Sequence, residues 1–203
     1  MEIKELKNTL KEIVASIEKT APYASAFSGS IKGKQAFAST TSKSISFSDP
    51  TKGVTFTAFN GEYFFEKSTN KLDKDNLRKT ADALMEEIKS VGIKNNGLEI
   101  NPGEEIEKDF FVEMEKDPEN LDMKEMLDIV TQEKDRISKM SEKIVNAGMR
   151  TGYEAKNELF INRNKTLYQE ITRWDSIFFS VFRDEMNTSQ IWGGTSKNGG
   201  YEN

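Results

Sequence analysis

The stretch Gly53-Val54-Thr55-Phe56-Thr57-Ala58-Phe59-Asn60-Gly61-Glu62-Tyr63-Phe64-Phe65 decides the fold class. Val54, Phe56 and Ala58 alternate with Thr55, Thr57 and Phe59, the period-two pattern of a strand with one face inward. Asn60-Gly61 then supplies the strongest hairpin signal in the chain, because both residue types tolerate the positive φ of a tight turn. Tyr63 and Phe65 carry the sheet onward. Upstream, Tyr23 to Ser28 reads as a strand broken by Gly29 and Gly33, and Ser44 to Ser48 as another. Asp49-Pro50-Thr51-Lys52-Gly53 reads as a turn between strands. This half is an antiparallel meander.

Helices flank the meander. Ile3, Leu6, Leu10, Ile13, Val14 and Ile17 form one apolar face, and Pro22 follows its end. A second helix starts at Asp73 as N-cap, with Leu72 and Leu77 placed as a hydrophobic staple, and Gly92 closes it. Residues 93–120 read as irregular, with Phe110, Phe111, Val112 and Met114 packing over a core. A third helix starts at Asp122 with Glu125 in capping-box position, and its apolar side runs to about Asn146-Ala147-Gly148. The last third reads as strands 155–161, 167–174 and 177–182, with a hairpin tip at Asn162-Arg163-Asn164-Lys165. Gly193-Gly194-Thr195-Ser196-Lys197-Asn198-Gly199-Gly200 offers little to pack and reads as loose.

The expected fold is α+β, with helices packed on antiparallel meander sheets as two helix-plus-meander units. The expected organisation is one domain, 1–192, with a lobe 1–92, a connecting segment 93–120 and a lobe 121–192. Residues 193–203 are expected to be a flexible tail or linker.

Composition removes several functions. The 203 residues contain no Cys and no His, so thiolate chemistry, disulfides and the commonest zinc ligand and general base are absent. A formal net charge of -5 argues against non-specific duplex binding. No apolar run approaches a membrane span, and the charged amphipathic start lacks a signal peptide's core, so the cytoplasm is the expected location. Gly29-Ser30-Ile31-Lys32-Gly33-Lys34 lacks the phosphate-loop spacing. The acidic pairs Glu86-Glu87, Glu104-Glu105 and Asp184-Glu185 read as solvated surface, and Asp122, Asp128 and Asp135 do not share the single helix face that a three-carboxylate metal site needs. Lys32, Lys34, Lys43 and Lys52 lie among Phe27, Phe37 and Phe47, a pattern that can bind single strands, although sheet alternation explains the aromatics more simply. What remains is backbone: exposed strand edges that a peptide or a sister domain could extend.

The helix, the strand Tyr23-Ala24-Ser25-Ala26-Phe27, the 53–65 hairpin and the Leu72-Asp73…Leu77 helix start together resemble the amino-terminal domain of the TldD/PmbA metallopeptidases, described as modulators of DNA gyrase. Leu159-Phe160-Ile161-Asn162-Arg163-Asn164 and Gly193-Gly194 resemble that domain's later strands and exit. The resemblance implies a non-catalytic half that dimerises, as a homodimer or with a family paralogue, and handles unfolded or extended peptide. Zinc is then expected in a carboxy-terminal half that this chain lacks, on a histidine-glutamate motif and a cysteine that no residue here matches. A fragment, a naturally short relative, or a relative whose other half is a separate chain would each fit, the loose tail favouring the first. The chain alone is not expected to be an enzyme, whereas its parent is expected to be a zinc peptidase. A stand-alone interaction scaffold is the alternative. Asn60, Gly61, Trp192, Gly193 and Gly194 are the turn or interface candidates.

Overall fold

The computed structural model describes residues 2–202. A 3-10 turn, Ile3–Leu6, leads into α1 (Lys7–Ile17). Then follow β1 (Tyr23–Ser39), β2 (Lys43–Phe59), β3 (Phe64–Thr69) and α2 (Lys74–Val91). The second half holds β4 (Ile106–Phe111), α3 (Met123–Ser138), β5 (Ile144–Asn162), β6 (Lys165–Asp184) and β7 (Asn187–Asn198). Hydrogen bonding links the strands in the order β3-β2-β1-β5-β6-β4, with β7 also on β6. The α+β expectation holds, with one departure from antiparallel pairing: β4 runs parallel to β6, Ile106 opposite Lys165 through Phe111 opposite Glu170.

The chain forms two compact units, each assembled from three separated pieces. The first takes the residues up to Ser30, Thr51–Phe111 and Lys156–Glu170; the second takes Ile31–Pro50, Val112–Ala155 and the residues from Ile171 onward. These are not the contiguous lobes 1–92 and 121–192. The reason is strand length: β1, β2, β5 and β6 span 17 to 20 residues each, so one strand contributes to both units.

In the first unit, α1 and α2 bury their apolar stripes (Leu10, Ile13 and Ile17; Leu77, Leu84 and Ile88) against Phe56, Ala24 and Leu159 of the strands. The Asp73 side chain accepts the Asn76 N–H at 3.0 Å, as an N-cap should. Gly92, at φ 82°, closes α2 with its N–H on the Ile88 carbonyl at 2.8 Å. In the second unit, α3 lays Met126 and Val130 on Ala36, Ala38, Tyr153 and Trp174. The Asp122 carboxylate caps α3, accepting from Lys124 N–H at 2.8 Å and Glu125 N–H at 3.4 Å.

Five segments depart from the sequence reading. β1 continues through Gly29 and Gly33, and β2 through Asp49–Gly53. None of these glycines has a positive φ; at Gly33 a side chain would run into the Tyr153 carbonyl, so glycine permits close strand approach instead of a turn. Pro50 is tolerated because β3 pairs with β2 only over residues 54–59, leaving the stretch around Pro50 exposed. Within 93–120, Phe110 and Phe111 lie in β4 and stay substantially exposed; they do not cap a core. Helix α3 ends at Ser138, and Ile144 to Gly148 are already strand, with Met140 exposed. Finally, the segment read as a loose tail is ordered. Residues 193–198 complete β7, and Tyr201 packs beside Trp174 with ring centroids 6.1 Å apart. The Tyr201 N–H donates to the Lys116 carbonyl at 3.1 Å, and the Glu202 carboxylate accepts the Lys116 N–H at 2.9 Å.

Candidate functional site

Asn60 and Gly61 belong to the first unit, and they are architecture. Asn60 is fully buried. Its Oδ1 accepts the N–H groups of Glu62 (3.1 Å) and Tyr63 (2.9 Å), which ties the hairpin turn. Its Nδ2 donates to the Gly92 carbonyl at 2.8 Å, and its own carbonyl accepts Lys94 N–H at 2.8 Å. One side chain thus joins the turn to the end of α2. Gly61 sits at φ 102°, and any side chain there would collide with the Lys94 carbonyl.

Trp192, Gly193 and Gly194 lie in β7 of the second unit, with Phe179 opposite Trp192, Phe178 opposite Gly193 and Ile177 opposite Gly194. The glycines make room for neighbours: the Phe178 ring lies over Gly193, and Gly194 lies against the Ser176 carbonyl. Trp192 is 62% exposed yet rests on Phe179 at 5.0 Å, and Phe179 stacks on Phe37 at 6.4 Å. Strand β5 intervenes between β1 and β6, and there Gly148 leaves space that a side chain would take from the Phe179 ring. An aromatic row therefore crosses this part of the sheet and ends on the outer strand. The sequence reading missed the row because its members are 13 to 155 positions apart along the chain, and only the glycine at 148 hints at a close approach.

Edge strands differ sharply in how they are guarded. β4 is six residues long and carries Glu107, Lys108 and Asp109. Lys11 of α1 pairs with Glu107 at 2.8 Å, and Lys7 and Lys4 pair with Asp109. The Lys7 hydrogen bond holds the Asp109 carboxyl below its ordinary range, and Lys11 does the same for Glu107. β3 is equally short, and its Lys67 pairs with Glu87 at 2.7 Å. β7 runs for 12 residues with Lys197 as its single charged side chain, and Ile191 and Trp192 stand exposed. Charges and short length blunt an edge against further pairing; β7 is long and carries only Lys197.

Each unit also carries a cleft. In the first unit, a cleft of about 600 Å³ is lined by Lys11, Glu18, Glu107, Asn162, Arg163 and Thr166 among others. Its polar groups already have partners: Arg163 donates to Glu18 at 2.9 Å and to the Pro22 carbonyl, and Asn162 Oδ1 accepts from Asn164 (2.9 Å) and Lys165 (2.7 Å). In the second unit, a cleft of about 450 Å³ holds Arg150 on Asp175 at 2.9 Å and Arg173 near Glu154 at 3.9 Å. Tyr153 lines it with its hydroxyl pushed up to about 12, first by burial and then by the charges of Glu119 and Asp117. Tyr168 of the first unit is raised to about 12 as well, by burial and then by Glu170. Lys32 is bound to Glu119, and Lys34 donates to the carbonyls of Glu119 (2.8 Å) and Leu121 (2.9 Å), so these lysines are engaged within the second unit. Zinc does not fit these residues. The chain has no His or Cys, and among the described residues no three acidic groups converge. No helix of the described residues is long and apolar enough to cross a membrane.

Comparison with known proteins places the fold. No protein-family model matches the sequence, and no curated protein matches it. Solved structures do match. A candidate modulator of DNA gyrase from Bacteroides thetaiotaomicron superposes with a TM-score of 0.76 over 98% of this chain, at 12% identity. TldE from Thermococcus kodakarensis gives 0.67 over 93%, at 10% identity. A candidate modulator of DNA gyrase from Thermotoga maritima gives 0.61 over 97%, at 13% identity. The chain thus has the fold of a TldD/PmbA-type domain, as the sequence resemblance implied. It spans 46% of the first of those chains and 43% of the other two, less than half their length.

Proposed function

We propose that this chain acts as the non-catalytic half of a TldD/PmbA-like zinc metallopeptidase, contributing dimerisation and the handling of extended peptide. Zinc and the reacting groups come from another polypeptide segment. The observation that carries the reading is the fold match over 93–98% of the chain to proteins more than twice as long, in a chain with no zinc donor set of its own. The unguarded strand β7 supports the dimerisation part, since an open edge can be extended by a strand of another chain through main-chain hydrogen bonds. The same edge gives some support to a stand-alone interaction scaffold.

Fluorescence anisotropy of a labelled, permanently unfolded polypeptide titrated with the chain tests the proposal. Saturable binding that changes little between low and moderate salt is expected, because backbone pairing and not charge holds the ligand. Absence of binding would remove peptide handling and leave the scaffold reading. Salt-sensitive capture of a single-stranded oligonucleotide in its place would overturn both.

A further inference from the structure

We infer that β7 is a self-pairing edge, on which a second copy of this chain docks its own β7 antiparallel, centred on Trp192. This inference rests on the dimerisation part of the proposed function and names the surface. β7 bonds β6 along one side, from Arg173 opposite Asn198 to Asp184 opposite Asn187, and no strand among the described residues takes its other side. Its free N–H and C=O groups therefore call for another strand, and the side chains specify which one.

Two-fold pairing about Trp192 sets the two Trp192 rings across from each other and extends the Phe37–Phe179–Trp192 row into the second copy. It sets the exposed Ile191 opposite Gly193 of the second copy, a large side chain against an absent one. Lys197 falls opposite Asn187 of the second copy, with Glu185 two residues further, within diagonal reach of a long side chain. Glu185 forms the β6–β7 turn at φ 49°, so a negative and a positive charge stand at opposite ends of β7. Antiparallel self-pairing joins unlike ends twice over; parallel pairing would join like with like. The interface is isologous and closes at two copies. An edge of 12 residues is about 40 Å long, and one strand seam falls at the lower end of stable interface sizes, so the dimer is weak and concentration-dependent.

Sedimentation equilibrium over a wide concentration range tests the pairing, using Glu185→Lys, Lys197→Glu and the double exchange, each checked for unchanged circular dichroism. Each single change makes the two diagonal pairs repulsive and is expected to weaken the dimer about tenfold. The double exchange restores the unlike pairs and is expected to return it to within about threefold of the original. A dimer indifferent to all three variants overturns β7 pairing while leaving dimerisation through another surface. A chain that stays monomeric at every concentration overturns both the pairing and the dimer itself. Should the monomer instead gain amide protection along β7 on adding an unfolded polypeptide, the edge belongs to peptide and self-pairing is overturned.

Discussion

The two compact units use the same materials to different ends. The first closes a large core between two helices and its strands, around Phe56, Leu77 and Leu84, and guards its short outer strands with ion pairs. The second has one helix over an alanine-lined patch of strand, and its outer strand is long, nearly uncharged and exposes Trp192 at its middle. Burying more apolar surface stabilises more, and leaving an edge open invites association. The first unit thus holds the larger buried core, and the second carries the open edge. A core patch containing Ala36 and Ala38 lets strand and helix approach closely, but it gives the second unit less apolar area to bury.

The largest expected effect tests the stable side. Phe56→Ala removes a fully buried ring and should cost about 3–5 kcal/mol in denaturant unfolding. A cost below about 1 kcal/mol would mean that the first core does not dominate. Met126→Ala should cost about 2–4 kcal/mol, read by hydrogen exchange as faster opening of amides within 112–155. Equal loosening in both units would erase the contrast. Asn60→Ala takes the side-chain partner from the Gly92 carbonyl and from two turn amides and should cost about 1–3 kcal/mol, with the loss centred on residues 60–63 and 92–94. Asp73→Ala, which strips the α2 cap, should cost about 1 kcal/mol in thermal unfolding.

The smallest effects are pH-dependent, and they separate the units at one end of the scale only. Asp109 has a folded pKa below its ordinary 3.8, chiefly through the Lys7 hydrogen bond. Its contribution is therefore present above pH 3.8 and is lost as pH falls through the lower folded value. Amides of β4 should lose protection there first, and Lys7→Met should shrink that step to what Lys4 sustains. At the alkaline end, Tyr153 and Tyr168 are raised from 10.0 to about 12, so their contributions are whole below pH 10 and fade as pH rises through about 12. Tyr168 lies in the first unit and Tyr153 in the second, so alkaline loosening should touch both; confinement to one would show that only one tyrosine is held neutral by the fold.

Local chemistry was legible and distant pairing was not. The starts of α2 and α3, the Asn60-Gly61 turn and the 162–165 tip follow from a few adjacent residues, and all stand in the structure. The continuity of β1 and β2 was hidden, because glycine and proline mark a turn in a local reading. Their effect here depends on a neighbouring strand, Tyr153 against Gly33, or on the lack of one beside Pro50. β4 was hidden for a related reason: its ladder of Glu107 and Asp109 answers Lys4, Lys7 and Lys11 about a hundred positions earlier. Among the candidate residues, Gly193 and Gly194 suggested looseness, whereas Phe178 and Ile177 fill the space they leave. Trp192 stands exposed on β7, and its row with Phe179 and Phe37 needed three separate strands to be seen.

Light scattering on the chain after size-exclusion chromatography, alone and with an unfolded polypeptide added, tests the central claim most directly. The account predicts a concentration-dependent dimer that carries the polypeptide with it. A monomer that elutes apart from the polypeptide at every concentration would contradict the account.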